Sequence, residues 1–208
     1  MSQAIVESRT VAAPIDLRMA AAGVAALTVV VGISLAFAQE TGEMLTRNTV
    51  RLSLFWYATA ICLMMRLRLE DWRGTTALGR IARWCWTLGL VTFLVHLGVA
   101  FHFYHQWSHA HAFDHTREVS GIGEGIYISY LFTWLWAADV AWWWTSPVTY
   151  VGRTPWIGRA LHPFMLFIVF NGMVIYESGP IRWVGLVMFA VLAVAWWQSR
   201  GRSRSAGQ

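Results

Sequence analysis

Residues 157–197 read IGRALHPFMLFIVFNGMVIYESGPIRWVGLVMFAVLAVAWW. Two apolar runs, 157–176 and 181–197, flank the link Glu177, Ser178, Gly179, Pro180. A membrane-crossing helix needs about 20 mostly apolar residues. A link with Gly next to Pro is turn chemistry. The stretch therefore predicts a transmembrane helical hairpin, and its pattern recurs upstream. Runs at 19–38, 52–65, 84–104 and 126–144 complete a set of six. The run at 52–65 is short, and Arg51 and Arg66 at its ends can snorkel to extend it. The expected fold is all-α, a polytopic membrane bundle of about six transmembrane helices over residues 19–197. A cytoplasmic N-terminal tail (1–18) precedes it and a basic cytoplasmic tail (198–208) follows it. Residues 1–14 and 198–208 read as irregular.

Composition supports the same class. The chain of 208 residues is 57% hydrophobic and 13% charged, against about 25% charged in a soluble domain. All sixteen basic residues are arginine, and the net charge is +5. The arginines are spread over loops between apolar runs, which argues against a nucleic-acid partner and for a lipid bilayer. With the N-terminus in the cytoplasm, twelve arginines fall inside and four (Arg47, Arg51, Arg117, Arg182) outside. That asymmetry predicts both termini cytoplasmic, in a bacterial inner membrane. Ala36, Phe37 and Ala38 have the small-residue spacing of a signal-peptidase site, but the leader is long and carries Glu7 and Asp16, so the first span is expected to be retained. Cys62 and Cys85 lie in apolar runs and are too few for a disulfide framework.

The chemistry concentrates in FHFYHQWSHAHAFDHT, residues 101–116. Five of the seven histidines, His102, His105, His109, His111 and His115, fall within fourteen residues of it. Histidine is the commonest metal ligand and is unfavourable in lipid. On one continuous helix His102, His105 and His109 lie within about 60° of one another, so they form the expected ligand stripe. An unbroken helix would overshoot the membrane by about 20 Å, so a bend is expected between Ser108 and Asp114. His115 and a carboxylate, Asp114 or Glu124, would complete the ligand set. Imidazoles with a carboxylate and no thiolate suit copper, iron or zinc. The orientation above puts this cluster on the outer face.

Three further intramembrane groups stand out. Asp139, in TWLWAADVAWWW, and His162 lie at matching depth near the inner face, which predicts a contact between them. His96 lies mid-span, with Asn171 as its expected partner. His96, His162 and Asp139 are the candidates for haem ligation or a proton relay.

The function expected from these residues is that of a small integral membrane metalloprotein with an outward-facing, histidine-rich metal site, redox activity included. An open coordination position would make it an enzyme, and a closed one a carrier. One alternative is a b-type membrane cytochrome carrying haem b on His96. Another is a non-catalytic subunit or assembly factor that joins other membrane subunits.

Overall fold

The computed structural model describes residues 2–36 and 41–205, with side chains described for 14–36 and 41–199. The cleavage motif at 36–38 runs into residues outside that set. Every regular element among the described residues is helical: α1 (Ser2–Ala36), α2 (Thr41–Met64), α3 (Leu69–Trp72), α4 (Ala77–Phe103), α5 (His109–Ser120), α6 (Gly125–Thr145), α7 (Pro147–Val151), α8 (Pro155–Phe170) and α9 (Pro180–Ser205). A π-helical turn, Asn171–Ile175, extends α8.

Four helical stretches are long and apolar enough to cross a membrane: Pro14–Ala36, Ala77–Phe103, Pro155–Ile175 and Pro180–Ser199. α2 and α6 are as long, with 24 and 21 residues, but less apolar. Glu43, Arg47 and Arg51 occupy the first half of α2. Tyrosines, tryptophans and Asp139 dilute α6. α2 starts eleven residues before the expected position 52, because Thr41–Arg51 contains no proline, its one glycine, Gly42, lies in the first turn, and Glu43 pairs with Arg47 one turn on, at 2.7 Å. Within the tails expected to be irregular, residues 2–14 belong to α1 and residues 198–205 to α9.

The link expected between the last two spans forms. Gly179 takes φ +67°, which favours glycine, and Pro180 opens α9, where its missing N–H is tolerated. Arg182 Nε donates to the Glu177 carbonyl at 2.9 Å and closes the turn.

The core sits where α2, α4 and α6 meet. Tyr57, Trp86 and Trp136 are almost fully buried, with ring centroids 5.0–5.6 Å apart. Such aromatic pairs contribute about 0.5–1.5 kcal/mol beyond burial. Gly89 lets α6 pack closely on α4, since a Cβ there would lie 2.8 Å from the Trp136 indole, and Ser53 Oγ on α2 donates to its carbonyl at 2.8 Å. α1 is tied to α4 through Asp16, which pairs with Arg80 and accepts from Trp84 Nε1 at 2.7 Å. Leu17, Val24 and Val29 on α1 and Trp183, Val184 and Val187 on α9 stay exposed. That apolar surface suits lipid.

Candidate functional site

The end of the bundle that carries the histidine run is built around a chain reversal after α4. Gln106 and Trp107 have φ of +50° and +58°, a region that disfavours residues with a Cβ. The Trp107 N–H donates back to the Phe101 carbonyl at 3.0 Å and the Ser108 N–H to the His105 carbonyl at 2.7 Å. Ser108 then caps α5 by accepting from the His111 N–H, the usual N-cap role of serine. Gly121, with φ +80°, ends α5. The bend therefore falls at 105–108, just before the expected 108–114, and α5 is a separate helix laid against α6.

This reversal decides which histidines meet. The stripe of His102, His105 and His109 assumed one helix, and the structure does not bring the three together. His102 stays exposed on the last turn of α4, edge-on to Phe103 at 4.8 Å. His109 turns to α6, its Nδ1 3.0 Å from the Tyr130 hydroxyl and its Nε2 3.4 Å from the Tyr127 hydroxyl. His105 meets His115, with ring centroids 5.3 Å apart. Phe101 lies edge-on to His105 at 5.2 Å, and Tyr104 stacks on His115 at 6.4 Å. His105 Nδ1 is buried and has no hydrogen-bond partner among the described residues. Burial lowers the pKa of His105, and the positive charge that His115 and His111 can carry lowers it further. Burial also raises the neighbouring Tyr104 phenol, with Glu43 adding to the shift and Arg47 opposing it.

The expected carboxylates stand apart from this pair. Asp114 is exposed and faces Arg117 at 3.8 Å. Glu124 is exposed at the start of α6, where its side chain makes no cap hydrogen bond. Among the described residues no three His, Cys, Asp or Glu side chains come together as a metal-ion set.

At the opposite end Asp139 is 5% exposed and points into the bundle. It pairs with Arg153 Nη1 at 3.1 Å and accepts from Tyr150 Oη at 2.9 Å and Trp86 Nε1 at 3.0 Å. Tyr150 stacks parallel to Trp143, with centroids 5.2 Å apart, and the Arg153 guanidinium lies over its ring at 3.8 Å. Burial raises the Tyr150 pKa, and the Asp139 charge raises it further. The expected contact between His162 and Asp139 is not a hydrogen bond: Arg153, Tyr150 and Trp86 take the carboxylate. His162 lies edge-on to Trp86 at 6.0 Å, and its Nδ1 is buried without a hydrogen-bond partner among the described residues. Beside Asp139 a cleft of 410 Å³ opens between α6 and α8, lined by Leu135, Trp142, Ile157, Leu161 and Phe164 among others.

His96 bonds to a backbone carbonyl, but on α2: its Nδ1 lies 3.0 Å from the Thr46 oxygen. Asn171, the expected partner, instead donates to Phe167 O in its own helix at 2.7 Å. The sequence reading missed Arg153, Tyr150 and Trp86 as partners of Asp139. The available signal was Arg153 beside the proline that opens α8, fourteen residues after Asp139. Comparison with protein-family models, curated proteins and solved structures finds no match to this chain.

Proposed function

We propose that this chain is a six-span integral membrane protein of a bacterial inner membrane, with both ends cytoplasmic, that holds a transition-metal ion at its outer end on the imidazoles of the α4–α5 reversal. The observation that carries this reading is the His105–His115 ring contact at 5.3 Å, with a His105 nitrogen sealed from water and unbonded. A buried polar atom without a partner is unfavourable in a native structure. An ion coordinated there would remove that penalty. Two imidazoles sharing one ion, each nitrogen about 2 Å from it, set ring centroids about 5–6 Å apart, which the observed spacing matches. The arginine asymmetry and the lengths of α2 and α6 support the six-span arrangement.

The test is elemental analysis of detergent-purified protein for copper, iron and zinc. About one ion per chain is expected, lost in His105→Ala and His115→Ala and kept in His102→Ala. Unchanged metal content in the first two variants would end the reading. Reporter fusions at Thr75 and Asp114 test the orientation, with Thr75 expected inside and Asp114 outside.

One observation favours the haem reading as a second. Bonding of His96 Nδ1 to the Thr46 carbonyl leaves Nε2 as the lone-pair nitrogen, the tautomer that metal-ligating histidines adopt. A Soret band lost in His96→Ala would support it. The same purified protein without one would discard it.

A further inference from the structure

The cleft of 410 Å³ between α6 and α8 falls within the about 300–1,000 Å³ of small-ligand pockets. Its walls are apolar, and Ala138 and Ala160 keep it open because their side chains stop at Cβ. We propose that it binds one anionic phospholipid, with an acyl chain laid between the two helices and the phosphate set against Arg159. The proposal is independent of the metal site and rests on α6 crossing the bilayer beside α8.

The walls select a hydrocarbon chain. The Asp139 carboxylate already accepts from Arg153, Tyr150 and Trp86. Trp142 Nε1, the one side-chain donor of that residue, goes to Thr149 Oγ1 at 2.9 Å. An occupant with amide or hydroxyl groups along its length would bury them beside Leu135, Ile157, Leu161 and Phe164, which is unfavourable without partners. A hydrocarbon chain has no such groups to bury. From Trp142 to Leu135 the α6 wall rises by about 10 Å, against the roughly 15 Å of hydrocarbon in one leaflet. The cleft matches the upper part of one chain in polarity and in length.

The mouth selects the head group. α6 ends and α8 begins at the same end of the bundle, so Trp142 and Trp156 mark the end of the cleft nearest the helix termini. Trp156 is 62% exposed, and tryptophan is enriched where a bilayer meets water. Arg159 is exposed and adjoins Ala160 of the wall. Its long side chain can lie along apolar surface and carry its charge to the head-group level. Asp139, the carboxylate of the cleft, is neutralised by Arg153, and the other ion pairs among the described residues use other arginines. Arg159 therefore sets a positive charge beside an apolar slot. A phosphate joined to a hydrocarbon chain complements both, and the guanidinium fork matches phosphate oxygens. Free phosphate would use only the charge, and a zwitterionic lipid chiefly the slot.

The experiment uses the full-length chain in phosphatidylcholine vesicles with a minor share of phosphatidylglycerol. A tracer of either lipid carries a photoreactive diazirine in one acyl chain, and peptide mass spectrometry reads the labelled residues. The phosphatidylglycerol tracer should label Ile157 and Leu161 more strongly than Val187, which is exposed on α9. The phosphatidylcholine tracer should label the cleft less. Arg159→Gln should lower labelling by phosphatidylglycerol about fivefold, the effect of one arginine near an anionic lipid surface. Ala160→Trp fills the cleft and should remove its labelling by both tracers. Ala138→Leu, with helical content read by circular dichroism, covers the event that the tryptophan variant does not fold.

Equal labelling by the two tracers that Arg159→Gln leaves unchanged would overturn the proposal, and so would cleft labelling no stronger than at Val187. Displacement of the tracer by inorganic phosphate as effective as by unlabelled phosphatidylglycerol would make this a phosphate site and overturn it too. A dimer that Ala160→Trp splits would put a second copy in the cleft instead of lipid. Label on Leu131 and Trp134, exposed on α6, without label on the cleft walls would end the proposal and leave α6 as a span. No label anywhere on α6 would end the six-span reading with it.

Discussion

Arg153 Nη1 lies 3.1 Å from Asp139 Oδ1, and the two side chains are only 11% and 4% exposed. The carboxylate reaches the bundle interior fully satisfied: Arg153 serves one oxygen, and Tyr150 and Trp86 serve the other. A guanidinium neutralises the carboxylate outright, whereas a neutral imidazole from His162 could only donate to it. The contact ties α6 to the segment that enters α8, beside the cleft between them.

Removing one member of a buried ion pair leaves the other charge uncompensated, typically at about 3–5 kcal/mol. Arg153→Met and Asp139→Leu should each destabilise the protein by about that much, read as the unfolding midpoint in detergent. The double variant should recover a large part of the loss, because neither charge is then stranded. Additive losses in the double variant would mean that the two residues act separately.

A second prediction concerns the loop between α2 and α4. Asp71 accepts from the Arg68 N–H at 2.7 Å and from the Thr76 hydroxyl, and Thr76 caps the Gly79 N–H at 3.1 Å. Gly79 lies so close to this loop that a Cβ would sit 1.9 Å from the Asp71 carbonyl oxygen. A backbone atom cannot swing aside as a side chain can. Gly79→Ala should therefore lose at least about 1–3 kcal/mol, the usual range for overpacking. Gly98→Ala is the control, since open space surrounds that position. Equal stability of the two variants would contradict the contact.

The pairing of Asp139 and the break in the histidine run show where the sequence was readable and where it was not. Apolar length is a local property, and it marked six long helices to within a few residues at most ends, four of them apolar enough to cross a membrane. The early start of α2 escaped because charged residues do not stop a helix. The α4–α5 reversal was hidden because its left-handed residues are Gln106 and Trp107, and neither marks such a conformation as glycine does. Once the chain folds back there, helical spacing no longer says which histidines meet. His115 replaces His102 and His109 beside His105. His96 found a carbonyl, but on α2, since depth alone does not say which neighbouring helix supplies it. The π-helical turn at Asn171–Ile175 likewise left no mark in the apolar pattern.

The α5 helix is held on α6 by His109. Its stronger contact is the 3.0 Å hydrogen bond to Tyr130, and the 3.4 Å contact to Tyr127 is weaker. Tyr130→Phe should loosen α5 by about 0.5–1.5 kcal/mol, seen as faster protease cleavage within 109–120. Tyr127→Phe should do less through that bond, although Tyr127 also holds the Phe113 ring at 6.4 Å. Metal content should not change in Tyr130→Phe. Cleavage at the parental rate would show that Ala112 burial and the Phe113 contact suffice to hold the helix.

The last prediction is a pH dependence at the reversal. Burial first, then His115 and His111, lower the pKa of His105 from its ordinary value of 6.5. A group whose folded pKa is depressed binds its proton more readily when the local structure opens. Above about pH 6.5 the ring is neutral in both states and the turn keeps its full stability. As pH falls through that value, the opened form takes up a proton that the closed form resists, so opening becomes easier. The loss levels off once pH drops below the folded pKa. In the metal-free protein, amide hydrogen exchange over 103–112 should therefore accelerate between pH 7.5 and 5.5, after correction for intrinsic rates, while exchange over 55–62 in α2 stays unchanged. His105→Phe should flatten the profile, since it keeps an aromatic ring against Phe101 and removes the proton site. A profile in His105→Phe as steep as the parent's would refute the assignment to His105.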